Sequence, residues 1–214
     1  MSQRSAEILS TVKGKKLKNL ITKCFMKLHL GNGTVYLDGW INVDMSGKLA
    51  KDFPEIAEHN RTTIENYYKF PFRGNKDNNV TDVIMDVRKL DFADDTVDEI
   101  LCVNLVDHMK KDEFLETLKD WKRVLKENGT LIIDVDDRKK QAEILTRAET
   151  NEEIEWAMRL IYCDHAAEGR THWWGYTPEY LKEILERAGF TYVWTRTDFI
   201  LHDTYPNFQI CVRK

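Results

Sequence analysis

The chain has 214 residues, 42% of them hydrophobic and 32% charged, with a formal net charge of −4 and a pI near 5.9. That is enough chain to bury a core without staples, and the balance excludes collagenous, low-complexity and polybasic classes. Four cysteines form no CxxC pair, no apolar run nears the ~20 residues that span a bilayer, and the first residues hold no secretory h-region, so a reduced, cytoplasmic, single-domain protein is expected.

Residues 1–27 carry seven basic side chains against Glu7 alone, a local balance of +6 that leaves −10 for the remainder. Helical spacing of Ile8, Leu9 and Val12, then of Leu17, Leu20 and Ile21, predicts a basic helical extension over 1–24. Its lysines form either a solvated face or a cap over an anionic partner. Residues 25–214 read as the main domain. Phe25 to Leu30 is a strand running into the turn Gly31-Asn32-Gly33, and Trp40 to Asp44 is a second strand ending in an acid. Residues 45–80 form a mixed insertion with a short helix expected over Thr62 to Lys69. Val80 to Val87 and Glu99 to Val103 read as the third and fourth strands.

Phe114, Leu118, Trp121 and Leu125 recur at helical spacing, and Asn128-Gly129 is expected to end that helix. Thr130 to Val135 is a fifth strand. Residues 138–163 read as two helices, the second capped by Asn151 with an inner face of Ile154, Ala157, Met158 and Ile161. Thr177-Pro178 supplies an N-cap and a first-turn proline, Leu181, Ile184, Leu185 and Ala188 the inner face, and Gly189 the stop. Thr191 to Thr197 and Phe208 to Val212 are the last two strands, close enough in sequence to pair antiparallel. Strands alternating with helices make this an α/β protein with a doubly wound sheet, seven-stranded and mainly parallel.

A glycine turn at the carboxyl edge of such a sheet lets a backbone approach a ligand, and an acid ending the next strand can accept hydrogen bonds from both ribose hydroxyls. No full GxGxxG follows, because the chain continues Thr34-Val35-Tyr36, so a nucleoside without a pyrophosphate is favoured.

KLHLGNGTVYLDGWINVD (27–44) resembles the opening of class I S-adenosylmethionine-dependent methyltransferases. More narrowly, it is similar to a bacterial and phage branch of methyltransferase type 11-like character, reading LHLGCG…GWxNVD and often associated with surface-glycan biosynthesis. The resemblance continues through DVIMDVRKLDFADDTVDEILCVNLVDHM (82–109), DWKRVLKENGTLIIDV (120–135) and WGYTPEYLKEILERAGF (174–190). It covers most of residues 26–213. It implies a Rossmann-like methyltransferase fold with the last strand antiparallel, and S-adenosyl-L-methionine as cofactor. Carried over, Leu30, Gly31, Asn32 and Gly33 would wrap the methionine part and Asp44 the ribose. Asp86, Val87 and Arg88 would meet the adenine, and Asn104 would open the loop beside the sulfonium. Asn32 stands where the family often has Cys. The short link from Gly33 to Asp44 leaves no room for the helix found in larger relatives.

Methyl transfer from a sulfonium releases a neutral thioether, so the enzyme mainly aligns the nucleophile and, for a hydroxyl, removes its proton. His108, after the fourth strand, and His172, in His172-Trp173-Trp174-Gly175-Tyr176, are the candidate bases, because imidazole titrates near neutrality. Trp173, Trp174 and Tyr176 either stack on an acceptor ring or cap the core edge. Asp164, His165 and Glu168 read as a solvated surface, so no metal is expected. The loop Asn104-Leu105-Val106-Asp107 lacks the prolines of nucleobase amino-methylating enzymes, and the acidic body makes nucleic acid an unfavoured partner. The expected acceptor is a small molecule or glycan, through oxygen. The rival readings are an RNA or protein methyltransferase using the basic N-terminus, and a cofactor-binding regulatory subunit without turnover. The 45–80 insertion, with Phe53, Tyr67, Tyr68, Phe70 and Phe72, is expected to form a lid or a homodimer contact.

Overall fold

The computed structural model describes residues 25–67, 79–165, 169–197 and 206–214. The basic extension, residues 68–78 with Tyr68, Phe70 and Phe72, residues 166–168 with Glu168, and residues 198–205 lie outside the described residues. Strands β1 (Lys27–Leu30), β3 (Ile41–Asp44), β7 (Val83–Ile84), β8 (Val97–Val103), β9 (Leu125–Asp136), β10 (Thr191–Arg196) and β11 (Asn207–Arg213) form one seven-stranded sheet. Its order is β10-β11-β9-β8-β1-β3-β7. All neighbours pair parallel except β11, which runs antiparallel to both β9 and β10. The doubly wound α/β sheet with its antiparallel last strand is therefore present.

The central strands are buried on both faces. Leu28, Leu30, Val43, Ile100, Leu131 and Ile133 have no exposed surface, as strands covered by helices on both sides require. Helix α2 (Lys111–Val124) exists because Phe114, Leu118 and Trp121 repeat on one face, all of them buried. Burial of one such Trp is worth on the order of 3–5 kcal/mol. The Trp121 indole Nε1 also donates to the Val87 carbonyl at 2.8 Å, so this helix fixes the loop after β7.

Five local expectations are corrected. Val80–Val87 is not one strand: Val80–Thr81 (β6) pairs with Lys48–Leu49 (β4), and only Val83–Ile84 joins the main sheet. Asp82 makes the break, its carboxylate accepting from the Asn42 amide at 2.8 Å and from the Tyr36 hydroxyl at 2.7 Å. The insertion helix is α1 (Pro54–Asn60), started by Pro54, while Arg61–Thr62 (β5) pairs with Tyr36–Leu37 (β2) and Ile64–Asn66 forms a 3₁₀ turn. Helix α2 stops at Val124, before Asn128-Gly129. Lys126 to Gly129 bulge from the β9 ladder, where pairing jumps from Val97↔Leu125 to Glu99↔Thr130 and Asn128 takes φ +64°.

Helices α3 (Arg138–Arg147) and α4 (Asn151–Tyr162) follow, but α4 is capped by Thr150, whose hydroxyl accepts from the Glu153 amide at 3.2 Å. The inner face of α4 is Ala157 and Leu160, with Ile154 and Met158 exposed. Helix α5 (Pro178–Arg187) starts and stops as its cap residues direct, Gly189 taking φ +83°. Tyr67, from the insertion, is buried against Val35, Leu37, Trp40, Leu101 and Val103, so the described part of the insertion packs on the sheet. Among the described residues no helix is long and apolar enough to cross a membrane.

Candidate active site

Parallel register places the candidate residues on one sheet edge. Leu30 pairs with Val43 on one side and with Cys102 on the other. The glycine turn, Asp44 and the loop after Val103 therefore emerge side by side. Gly31 takes φ +66° and its amide donates to the Val43 carbonyl at 2.8 Å. A Cβ there would lie 2.6 Å from a Leu105 methyl, so glycine is what lets Leu105 cross the turn. Gly33 takes φ +51° with no atom within 4 Å of where a Cβ would stand. This is an open approach to backbone that a ligand can use.

The Asp44 carboxylate is fixed at that opening. Its Oδ2 accepts from the Gly33 amide at 3.0 Å and its Oδ1 from the Ser46 amide at 3.0 Å. Unused lone pairs remain for a diol. Leu30 is fully buried, and it directs the turn without offering a side chain to solvent. Asn32 is also buried, and its amide donates to the carbonyls of Gly33, Val35 and Val80 at 3.0, 3.1 and 2.9 Å. That side chain staples the turn from inside and offers nothing to solvent.

Asp86 is gripped by Arg88, whose Nη2 stands 2.8 Å from Oδ2 and whose amide stands 2.9 Å from Oδ1. The hydrogen-bonded guanidinium holds the Asp86 carboxyl below the usual carboxylate range. Both side chains are exposed, and Val87 between them is buried. An open, charged depression of about 680 Å³ lies between Arg88, Lys89 and α2, and of the expected site residues only Arg88 lines it.

Beyond Val103 the chain turns sharply. Asn104 takes φ +46°, and its Oδ1 accepts from the Asn207 amide group at 2.7 Å. A 3₁₀ turn, Val106–His108, then brings Asp107 and His108 toward the segment carrying His172. The Asp107 carbonyl accepts from the Trp173 amide at 2.8 Å and from that of Trp174 at 3.3 Å, which ties the two segments together. The His108 and His172 rings stand edge to face, 4.8 Å between centroids. His108 Nδ1 is 3.1 Å from the Thr171 carbonyl, and His172 Nδ1 is 3.2 Å from the carbonyls of Leu160 and Ile161. A carbonyl only accepts, so each Nδ1 carries the proton and each neutral ring keeps its lone pair on Nε2.

His172 Nε2 lies 3.1 Å from Asp107 Oδ2. The contact lacks hydrogen-bond geometry, and both Asp107 oxygens are buried without a hydrogen-bond partner. Burial lowers the His172 pKa, Asp107 opposes that fall, and His108 adds to it. Asp136, at the end of β9, is pushed up to about 7 by burial and by Asp107, against the Gln141 amide group at 2.6 Å. The Tyr176 hydroxyl is likewise buried without a partner. Burial raises its pKa, and the Asp107 charge adds to the rise. Sequence reading paired the two histidines on one site but missed Asp107 as their partner. Its only signal was adjacency to His108, since His172 lies more than sixty residues on.

Residues 40–195 match the methyltransferase domain family. The chain belongs to that family. It is by class an S-adenosylmethionine-dependent methyltransferase, which fits a glycine turn open at Gly33 and an acid fixed beside it. No curated protein matches the sequence. Among solved structures, the chain is similar to 1,6-didemethyltoxoflavin-N1-methyltransferase of Burkholderia thailandensis, solved with that substrate and S-adenosylhomocysteine. The TM-score is 0.54 at 16% identity, covering 88% of this chain and 70% of that one. A Pyrococcus horikoshii protein gives 0.53 at 19% identity, covering 99% and 92%. An S-adenosylmethionine-dependent methyltransferase of Methanosarcina mazei gives 0.51 at 15% identity, covering 88% and 92%. These likenesses establish the fold.

Proposed function

We propose that this methyltransferase methylates a hydroxyl oxygen of a small-molecule or glycan acceptor at the edge formed by the glycine turn, Asp44 and the Asp107–His108–His172 cluster. Leu30 to Gly33, Asp44, Asp86 to Arg88 and Asn104 hold the cofactor in this reading. What supports it most is the close approach of Leu105 to Gly31, since Leu105 belongs to the loop that carries Asp107 and His108. When bound, S-adenosylmethionine supplies an electrophilic methyl group and a neutral leaving thioether. The backbone at Gly33 admits its close approach, and Asp44 accepts from its ribose hydroxyls.

The acceptor hydroxyl must lose its proton as the methyl group arrives. His108 offers an Nε2 lone pair oriented by the Thr171 carbonyl. His172 has its Nε2 turned to the Asp107 carboxylate and away from an acceptor, so His108 receives the proton. Trp173 and Trp174 are exposed, 55% and 39%, and share backbone contacts with Asp107. Indole faces beside the cluster suit stacking on a sugar or aromatic ring. Lys110 and Lys111 stand 5.4 Å from the Trp173 and Trp174 centroids, adding positive charge to that platform.

The test is release of S-adenosylhomocysteine by the full chain with a panel of sugars, glycosides and phenols. His108→Ala should lower turnover about 10²–10⁴-fold while cofactor affinity stays within a few-fold. Full turnover in the His108→Ala, His172→Ala double variant would sink histidine base catalysis. Binding without turnover on any acceptor would favour the regulatory reading.

A further inference from the structure

We propose that Asp107, His108 and His172 form a binding site for a borderline divalent cation of the zinc or iron(II) class. The inference rests on reading this edge as the acceptor site, and goes further by naming what the cluster holds there. Three observations carry it. One ligand atom from each residue lies within 4.8 Å of the other two. The Asp107 side chain is 1% exposed, yet neither oxygen has a hydrogen-bond partner. A buried carboxylate left so costs several kcal/mol unless a cation offsets it.

The third observation is the orientation of the imidazoles. Both histidines give Nδ1 to backbone carbonyls, at 3.1 Å for His108 and 3.2 Å for His172. Metal-ligating histidines typically do the same with the nitrogen that does not bind, which fixes the ring and leaves the other lone pair for the cation. The separation of His172 Nε2 from Asp107 Oδ2, 3.1 Å, also has the right size. Bonds of about 2.0–2.1 Å to a common ion put two ligands about 2.9 Å apart at a right angle and about 3.4 Å apart at a tetrahedral angle. The widest pair would have to close by roughly 1–2 Å for all three atoms to share one ion.

Two imidazoles and one carboxylate suit a borderline cation better than magnesium or calcium, which prefer all-oxygen sites. Three protein ligands leave open coordination positions. An acceptor hydroxyl bound at one of them breaks its O–H bond more easily and gives the proton to solvent water. Its oxygen then forms the bond to the methyl group as the sulfonium–methyl bond breaks and the thioether leaves. His108 would then act as a ligand, and solvent water rather than His108 would take the proton that the cation makes more acidic.

The experiment uses the full chain stripped with a chelator, dialysed and titrated with Co2+, read by d–d absorption and by elemental analysis after gel filtration. We expect one equivalent held by nitrogen and oxygen ligands, and at least about tenfold weaker binding in His108→Ala and in Asp107→Asn. Should Asp107→Asn fail to fold by circular dichroism, His108→Ala at its half-buried position gives the same readout. No retained Co2+, or equal affinity in the His108→Ala, His172→Ala double variant, overturns the site. Calorimetry with S-adenosylhomocysteine on the same samples separates the two claims. Nucleoside binding without Co2+ binding defeats the cation site alone, while loss of nucleoside binding defeats the functional reading.

Discussion

Gly31 and Gly33 both take left-handed backbone, yet alanine at each should act on a different property. At either position an L side chain in that region costs about 1–2 kcal/mol. At Gly31 the new methyl would also lie 2.6 Å from a Leu105 methyl. Overpacking of that kind adds about 1–3 kcal/mol. Gly31→Ala should therefore lose roughly 2–5 kcal/mol and about 4–20 °C in Tm, at ~2–4 °C per kcal/mol for a chain this long. At Gly33 no atom lies within 4 Å of the new methyl, so only the backbone cost remains and Tm should fall by roughly 2–8 °C. The open space there is where the cofactor is proposed to approach. Gly33→Ala should thus weaken S-adenosylhomocysteine binding more than about tenfold, a loss of ~1.4 kcal/mol. Thermal melts and calorimetry on both variants check the pair. Wild-type affinity in Gly33→Ala, or a larger Tm loss at Gly33 than at Gly31, would refute the placement.

Asp44→Ala removes a carboxylate fixed by the Gly33 and Ser46 amides, and the charge-assisted bonds proposed for it with ribose would be worth ~1.5–3 kcal/mol, so calorimetry should show affinity falling roughly 10–150-fold. Trp121→Phe leaves the Val87 carbonyl without its 2.8 Å donor, which should cost about 1–3 kcal/mol and speed hydrogen exchange over residues 86–90. His29 is fully buried, with Nδ1 2.9 Å from Asn42 Oδ1 and Nε2 2.5 Å from the Tyr67 hydroxyl, and burial lowers its pKa from 6.5 to about 4 against the Asn42 bond. A depressed imidazole pKa means that the unfolded chain binds the proton first. Stability is then full above pH 6.5 and falls by up to ~3 kcal/mol as pH drops through about 4. Urea melts between pH 7 and 4 should show that fall, and His29→Gln should lack it.

The fold was legible because its signals are periodic and local. Alternation into the glycine turn, the Phe114-Leu118-Trp121 stripe and the Thr177-Pro178 start each correspond to an observed element. Misreadings arose where side-chain hydrogen bonds override local pattern. Val80 to Val87 has the residues of one strand, but Asp82 satisfies Asn42 and Tyr36 and splits the run between two sheets. Asn128-Gly129 has helix-stop chemistry, but Val124 already precedes the β9 pairing, so the two residues shape a bulge. Ile154 and Met158 have helical spacing, but Ala157 and Leu160 are the residues that face inward. At the candidate site the two histidines stood out by residue type and by position after a strand and before a capped helix. Asp107 did not, because its significance lies in burial and in a contact across the fold.

The His108–His172 pairing depends on a segment that the sheet itself does not hold. Residues 171–176 are tied down at both ends: the Trp173 and Trp174 amides reach Asp107, and the Tyr176 carbonyl accepts from the Arg138 amide at 2.9 Å. The Arg138 guanidinium sits under the middle, donating to the Ile161 carbonyl at 2.7 Å and the Trp174 carbonyl at 3.2 Å. Gly175 has no side chain to displace it, and a Cβ there would collide with the arginine. The Ile161 carbonyl that receives Arg138 also receives His172 Nδ1. One residue at the start of α3 thus fixes both the chain path that carries His172 and the acceptor that sets its tautomer. Gly175 stands to the proposed acceptor side of the site as Gly31 stands to the proposed cofactor side. In each case the missing methyl makes room for a neighbouring side chain, Arg138 or Leu105, that fixes the path of the chain at the reaction edge.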